Sequence, residues 1–251
     1  NTQNIQTKQF TWSTDLTFST YNDRWKERDP NWKPAAYQKE QDPIRGVFAY
    51  VADGLLQPGE EAPAHQPQLL PGQVKLKNIN GDDKLNEEDM VLIGRNDPKF
   101  IFGFNNNFSY KNFDLNIYMY GQVGKIAGAN SYYDAWGSYG NRIKLGQNVP
   151  VSFKDAWSSD NQTSTRPSFI ESAYGTGDLF LQKISFLRIR NITLGYTVPI
   201  SKSICNRLRV YADVNNPCVW TNWKGQDPET DSNTNAYPNV TSFSIGVDIS
   251  F

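Results

Sequence analysis

The last twelve residues of the chain, Val240 to Phe251, constrain its fold more than any other stretch. Apolar side chains alternate strictly there with small or acidic ones. This alternation predicts a β-strand with one apolar and one polar face. No Lys or Pro interrupts the segment from Thr241 onward, although an exposed edge strand of a soluble protein normally carries one. The pattern fits a β-sandwich strand facing a core, and also the closing strand of an outer-membrane β-barrel, whose apolar face contacts lipid. The apolar residues are Phe243, Ile245, Val247, Ile249 and Phe251.

Composition restricts the class of partner and of site. With 251 residues the chain can form one large β domain or two small ones. Its formal net charge of -1 argues against nucleic acid as a partner. No apolar run reaches the roughly 18 residues of a membrane-spanning helix. A single histidine, His65, leaves little material for a catalytic triad or a multi-His metal site. Cys205 and Cys218 are predicted to be free thiols, because an extended segment between them would hold them apart.

Five further segments alternate in a similar way and predict strands. The clearest pair, residues 99–110 and 112–121, is joined by Lys111–Asn112 and predicts a β-hairpin. Within residues 183–198 the apolar side chains change from odd-numbered to even-numbered positions near Arg190–Asn191, which predicts a β-bulge. The six predicted strands cover residues 8–22, 99–110, 112–121, 183–198, 207–216 and 241–251.

The connections between these strands alternate between long and short. Outer-membrane barrels have short periplasmic turns and long extracellular loops, whereas a soluble sandwich has no reason to collect every long loop at one end. We therefore predict an all-β fold, an antiparallel transmembrane β-barrel. Because six strands cannot close a wide barrel, these strands are predicted to form only part of it. Asn1–Gln3 is predicted to be the tail of a preceding strand. The long connections are residues 23–98, 123–180 and 217–239, and the short ones are residues 199–206, residues 111–112 and a turn near Asn4–Thr7.

Several stretches also carry a family resemblance. They are Pro71–Asp82, Ile93–Tyr110, Phe186–Tyr196, Trp223–Glu229 and the terminal strand that ends at Phe251. In this order they resemble the SusC/RagA-type TonB-dependent outer-membrane transporters of the Bacteroidota, and the resemblance covers nearly the whole chain, as the C-terminal part of such a transporter. It implies the C-terminal strands of a barrel of about 22 strands, residues 1–251 forming one barrel segment with long extracellular loops.

The resemblance also implies a location, a role and a set of partners. The location is the bacterial outer membrane, and the role is the import of bulky nutrients, oligosaccharides or peptides, without enzymatic activity. The implied partners are the N-terminal barrel and plug of the same transporter, a SusD-like surface lipoprotein, the inner-membrane TonB complex, the glycan or peptide cargo and outer-membrane lipid. An alternative from another class is a secreted soluble β-sandwich that binds glycans and contains a calcium-stabilised loop.

Residues 78–89 have the spacing of an EF-hand-like calcium loop. Two departures weaken the match, since position 1 is Asn and position 6 is Asp83 instead of Gly, where the turn favours a positive φ. The alternative is an Asx-rich turn without metal. In both cases the expected role is to stiffen a loop. The candidate calcium ligands are Asn78, Asn80, Asp82, the carbonyl group of Lys84, Asn86 and Asp89.

Aromatic and basic side chains supply the remaining candidate sites. Exposed aromatic residues in the loop 123–180 can stack on sugars or anchor a protein partner, or they can pack together and hold the loop. Trp220 and Trp223 are predicted to belong to an interfacial aromatic belt. The candidate substrate-binding residues are Tyr132, Tyr133, Trp136, Tyr139 and Trp157, and the arginines predicted to line the lumen are Arg188, Arg190, Arg207 and Arg209.

Overall fold

The computed structural model describes residues 1–127, 145–146, 148–149, 151–169, 172–200, 205–230 and 236–251, without the side chain of residue 152. These residues form eleven β-strands and two short 3-10 turns, Glu87–Asp89 and Val151–Asp155. The strands are β1 Thr2–Gln6, β2 Phe10–Ser19, β3 Gly46–Ala49, β4 Ala52–Leu55, β5 Val74–Leu76, β6 Val91–Arg95, β7 Phe100–Tyr110, β8 Phe113–Ala127, β9 Gln182–Val198, β10 Arg207–Thr221 and β11 Ser242–Ser250.

Seven of these strands form one antiparallel sheet in the order β1-β2-β7-β8-β9-β10-β11. Every pair of neighbours follows in chain order, except that β2 is joined to β7 through a long loop that contains β3 to β6. The connections are alternately short and long, so the short ones lie at one end of the sheet and the long ones at the other. We call these the short-turn end and the long-loop end. The all-β antiparallel prediction is confirmed.

The register of the sheet places its large apolar side chains on one face, which we call the outer face. Phe243 pairs with Val214 and Ile245 with Ala212, and the same parity continues across β9, β8, β7 and β2. Ile245 is 83% exposed and Leu16 is 64% exposed. Within the described residues no second sheet covers this face. A soluble sandwich would bury it, so the sandwich alternative does not fit the structure.

One polar cluster interrupts the outer face near its middle. Thr14 and Asn106 share the apolar parity of β2 and β7 and lie side by side. The Oδ1 atom of Asn106 accepts hydrogen bonds from Trp12 Nε1 at 3.0 Å and Thr14 Oγ1 at 2.9 Å, and Asn4 Nδ2 donates to Thr14 Oγ1 at 2.6 Å. Because lipid offers no hydrogen bonds, polar groups at such a position must satisfy one another.

The predicted β-bulge is confirmed at Arg190. Asn191 pairs with Tyr118 of β8 and Ile189 pairs with Met119, which leaves Arg190 as an extra residue. The register of β9 with β10 shifts at the same place. The bulge changes the parity of β9, so apolar residues on both sides of it point to the outer face.

Some details differ from the sequence-based expectations. β1 continues through Gln6, and the first turn therefore follows it instead of covering Asn4–Thr7. β8 extends to Ala127 and β10 to Thr221, each several residues further than predicted. Cys205 and Cys218 are free, as expected. Among the described residues, no helix has the length and apolar character needed to span a bilayer.

Buried apolar clusters lie in the long loops and in the adjoining parts of the strands. In the loop between β2 and β7, β3 pairs with β6 and β4 pairs with β5. Leu55, Val74 and Leu76 form the centre of one cluster, against which Trp157 and Leu179 of a later loop pack. We call residues 46–95 and 151–181 the loop layer. The two long loops are thus folded against each other at the long-loop end.

Candidate functional site

The face opposite the outer face, here called the luminal face, is lined by amides and hydroxyls that are paired across strands. Asn116 Nδ2 donates to Asn105 Oδ1 at 2.8 Å and to Asn107 Oδ1 at 2.6 Å. Two strands away, Asp213 accepts hydrogen bonds from Asn191 Nδ2 and Thr193 Oγ1, both at 2.6 Å. These networks fix the rotamers of short polar side chains. They give the wall a hydrogen-bonding surface beside which water or polar solutes can lie.

Nearer the short-turn end, a charged cluster crosses the luminal face. Arg209 binds Asp114 in a bidentate manner, with Nε–Oδ1 at 3.0 Å and Nη2–Oδ2 at 2.5 Å, and its Nη1 lies 3.1 Å from Asp248 Oδ2. This contact joins β8, β10 and β11 over the intervening strand β9. Gly195 on β9 permits it, because a Cβ there would lie 2.4 Å from Arg209 Nη2. The guanidinium therefore links three strands of the wall across a fourth.

At the long-loop end, Arg188 is engaged in a buried ionic network. Its Nη2 lies 2.8 Å from Asp227 Oδ1, and the two residues are 3% and 4% exposed. Glu229 Oε1 is 2.8 Å from Arg188 Nε, although not in hydrogen-bond geometry. Asn239 donates its backbone N–H to Asp227 Oδ2 at 3.0 Å. The network fixes the segment after β10 to the wall. Arg188 has the predicted luminal parity on β9, but it is buried beneath this segment and faces acidic groups of the same chain.

The two carboxyl groups of this network respond differently to their surroundings. Burial raises the pKa of Asp227, but the backbone N–H groups of Glu229 and Asn239 and the charge of Arg188 outweigh it, and the pKa is lowered. Burial raises the pKa of Glu229, and the hydrogen bond from Asn239 offsets only part of this effect. Asp227 is therefore the carboxylate on which the network depends.

The prediction for Trp223 is wrong. Trp223 is only 6% exposed and packs with Ala127, Ile184 and Phe186, whereas Trp220 is 53% exposed. Trp223 differs from Trp220 because the chain turns inward after β10, where Thr221 Oγ1 accepts a hydrogen bond from the backbone N–H of Trp223. Trp220 has the exposure expected of a belt residue, and Trp223 instead anchors the segment that carries Asp227.

The loop layer is held together by contacts between the first and second long loops. The ring of Trp157 covers Gly72, since a Cβ there would lie 2.2 Å from Trp157 Cε3. Ser168 donates its backbone N–H to the Gly72 carbonyl at 2.8 Å, and Asp178 Oδ1 accepts from the N–H of Ala52 at 2.7 Å. The contacts combine backbone pairing with apolar burial, so each loop helps to hold the other in this conformation.

Of the five aromatic residues predicted to bind substrate, the structure places Trp157 within this packing, which favours the packing alternative for that residue. Their role in substrate binding stays a prediction. The other four, Tyr132, Tyr133, Trp136 and Tyr139, lie outside the described residues.

The proposed calcium loop forms a compact series of turns. Asp89 is fully buried, and its Oδ1 and Oδ2 accept hydrogen bonds from the N–H groups of Ile79 at 2.7 Å and Asn86 at 3.0 Å. Asp83 adopts the expected positive φ of 59°. The described residues include no group of three or more His, Cys, Asp or Glu that could hold a metal. Calcium binding stays a prediction, and the ligand set would rest largely on Asn oxygens. The other candidate side-chain oxygens also accept hydrogen bonds from backbone N–H groups of the same loop. These oxygens belong to Asn78, Asn80, Asp82 and Asn86.

The sequence analysis missed the buried Gln66 and the half-buried Arg28. Gln66 is fully buried, and its Oε1 accepts a hydrogen bond from Leu76 N at 2.7 Å, so its amide acts as an additional pairing partner for β5. Arg28 lies between the rings of Trp25 and Trp32. Both residues lie in polar, Pro-containing stretches whose pattern is that of an ordinary loop. The sequence signal for the position of Arg28 was the presence of Trp25 and Trp32 on either side of it in the chain.

The chain is similar in sequence to several bacterial receptors, although no family model matches it. It is 26% identical to the TonB-dependent receptor P3 of Formosa agariphila, in an alignment that covers 100% of this chain and 28% of the receptor. It is 28% identical to the TonB-dependent receptor P26 of the same species, over 74% of this chain and 20% of the receptor. The TonB-dependent receptor SusC of Bacteroides thetaiotaomicron is 27% identical over 68% of this chain and 17% of its own length.

Solved structures share the fold. A chain in the structure of the RagAB peptide transporter superposes with a TM-score of 0.74 and 20% identity, over 99% of this chain and 28% of that chain. The open-open state of the RagAB peptide importer gives a TM-score of 0.72, over 99% and 27%. This likeness shows the fold, and it identifies the seven-stranded sheet as a section of barrel wall.

The chain spans little more than a quarter of the length of the first of these curated relatives. All three relatives are named as receptors, which agrees with the prediction that the chain is not an enzyme. The outer-membrane location is likewise confirmed by the relationship. The resemblance inferred from the sequence therefore holds: this chain is similar in sequence to TonB-dependent receptors that include SusC, and it shares its fold with a chain of the RagAB peptide transporter.

Proposed function

We propose that this chain forms part of the wall and the long extracellular loops of a TonB-dependent outer-membrane importer of bulky nutrients, either oligosaccharides or peptides. The observation that carries the proposal is the two-faced sheet. In the described part of the chain no second sheet covers its apolar outer face, while its luminal face bears the paired amides and the Arg209 cluster. A wall that separates lipid from an aqueous passage requires this arrangement.

The proposed partners follow from the same role. The rest of the barrel and a plug would complete the passage, the inner-membrane TonB complex would supply energy, and a SusD-like lipoprotein would cover the long loops. The loop layer supports this assignment, because it is a folded surface at one end of the wall. The names TonB-dependent receptor and RagAB peptide transporter support it further. No nucleic acid is proposed as a partner.

The test is to isolate the transporter from outer membranes in mild detergent and to identify the co-purifying proteins by mass spectrometry. We expect the chain to be recovered with the rest of a barrel, on the same polypeptide or another, and with a surface lipoprotein. Uptake of labelled oligosaccharide and peptide mixtures into whole cells then identifies the cargo. Recovery of the chain in the soluble fraction, folded and without partners, would contradict the proposal and would favour the soluble glycan-binding module.

A further inference from the structure

The loop between β2 and β3 contains an arginine that is ordered by aromatic rings and has no acidic partner. The guanidinium carbon of Arg28 lies 3.7 Å from the ring centre of Trp32 and 4.7 Å from that of Trp25. Within the described part of the chain, Arg28 makes neither an ion pair nor a hydrogen bond, and its Nε is buried. The two indole rings hold the guanidinium in place and cut its Nε off from water while no anion of the described residues contacts it, so the group is preorganised to bind one.

Arg28 lines a cavity of about 340 Å³ at the long-loop end. The walls combine aromatic and apolar side chains with polar groups. Tyr37 and Phe48 pack with their ring centres 4.9 Å apart, and Phe48 belongs to β3, which is paired with β6. Gly46 lies next to the Phe48 ring, where a Cβ would approach Phe48 Cε2 to 2.9 Å. The floor of the cavity is therefore attached to a small sheet. The other lining residues are Trp25, Gln38, Asp42, Pro43, Ile44 and Met90.

The polar groups of the cavity indicate which kind of ligand fits. Asp42 and Gln38 use oxygen atoms to accept hydrogen bonds from the N–H groups of Lys39 and Ala35, and the Arg28 guanidinium is the positively charged donor that the lining offers to an anion. Asp42 adds a negative charge to the same wall and disfavours ligands with several anionic groups. A neutral oligosaccharide has no anion for Arg28. A ligand with one carboxylate, N–H donors and an apolar side chain satisfies all three features.

We propose that this cavity binds the carboxylate end of a peptide whose last residue is apolar or aromatic. The carboxylate pairs with the Arg28 fork, and the side chain lies against Tyr37 and Phe48. The inference rests on the proposed function and deepens it, since it gives peptide as the cargo class for these loops.

The test uses the complete transporter in detergent and isothermal titration calorimetry. The probes are the tripeptide Ala-Ala-Phe with a free carboxylate and the same peptide with a C-terminal amide. The free acid is expected to bind about tenfold more tightly than the amide, the effect of one charge-assisted pair. Arg28→Gln should abolish this preference. Arg24→Gln, which removes the same charge from an exposed position four residues away, should retain it.

A second variant leaves Arg28 and both indole rings in place. Ile44 is 49% exposed at the cavity, so Ile44→Glu introduces a carboxylate there without disturbing buried residues, and we expect it to weaken binding of the free acid. Equal affinity for acid and amide, an unchanged preference in the Arg28 variant, or binding of maltoheptaose in place of the peptide would overturn the proposal. If the transporter imports oligosaccharides while the free acid does not bind, the import function stands and the peptide site falls. If the free acid binds but the chain proves to be a soluble protein, the peptide site stands and the import function falls.

Discussion

Arg188 on β9 and Asp227 in the segment after β10 are 39 residues apart in sequence, yet their side chains meet at 2.8 Å in a buried pair. Asp227→Ala would leave the Arg188 charge buried, with Glu229 as the remaining acid that contacts it among the described residues. Removing one partner of a buried pair costs about 3–5 kcal/mol, and Glu229 should keep the loss near the lower end. Hydrogen exchange of residues 222–239 in the solubilised transporter measures the change. Asp53→Ala, which removes an exposed partner of Lys77, should leave exchange unaltered.

Acid should loosen the same segment. Because the folded state lowers the pKa of Asp227, its contribution to stability is present above the pKa of the unfolded chain, about 3.9, and is lost as pH falls through the folded value. We expect the protection factors of residues 222–239, taken relative to the intrinsic exchange rate at each pH, to fall below about pH 4. Glu229→Gln should preserve this acid dependence, and Asp227→Ala should remove it. An acid dependence that persisted in the Asp227 variant would assign the transition to another group.

Gly72 is expected to be intolerant of a side chain. Gly72→Ala places a Cβ against the Trp157 ring and also in a left-handed conformation, at φ 83°. The backbone effect costs about 1–2 kcal/mol, and the steric effect adds about 1–3 kcal/mol. Gly59→Ala is the matched control, because it has φ 81° and nothing within 4 Å of the new Cβ. Limited proteolysis of the two long loops should therefore accelerate more in the Gly72 variant. Equal rates would mean that Trp157 does not hold the loops together.

The two faces of β11 should differ in their tolerance of charge. Ile245→Arg puts a guanidinium on the outer face, where the cost is about 2–4 kcal/mol near the middle of the bilayer. Ser244→Arg points to the luminal face, beside Asp213, with which Ser244 already forms a hydrogen bond. The amount of folded transporter in outer-membrane fractions should fall for the first variant and change little for the second. The opposite result would invert the assignment of the faces.

We expect residues 78–89 to bind calcium weakly, with a dissociation constant in the range of about 10⁻⁴–10⁻³ M. Asp82→Ala removes a candidate ligand whose side chain otherwise accepts only the N–H of Lys84. It should abolish binding, which calorimetry with CaCl₂ measures. Asp89 is unsuitable for this test because it also closes the loop through three backbone N–H groups. Asp160→Ala, outside the loop, is the control. No heat of binding at about 10 mM calcium would leave the Asx-rich turn as the explanation.

The sheet was largely predictable from sequence because period-two alternation acts locally. The phase change near Arg190 even located the bulge. The buried contacts of the loops were not predictable, since they depend on partners far apart in the chain. Trp223 illustrates this, because a Trp after a strand suits both a membrane belt and a buried anchor, and the choice depends on Ile184 and Phe186. Asp227 carried no local sign that Arg188 would reach it.

Because Trp157 packs on Gly72, the two long loops are expected to be exchanged together in evolution and not one at a time. A recombination event or a laboratory chimera that exchanged one loop for that of a relative would expose the indole ring on one side and the groove around Gly72 on the other. Changes in the outward surface of these loops should therefore arise by coordinated replacement of residues 46–95 with 151–181, or by point changes that leave this contact intact. Libraries built to alter recognition should vary both segments together.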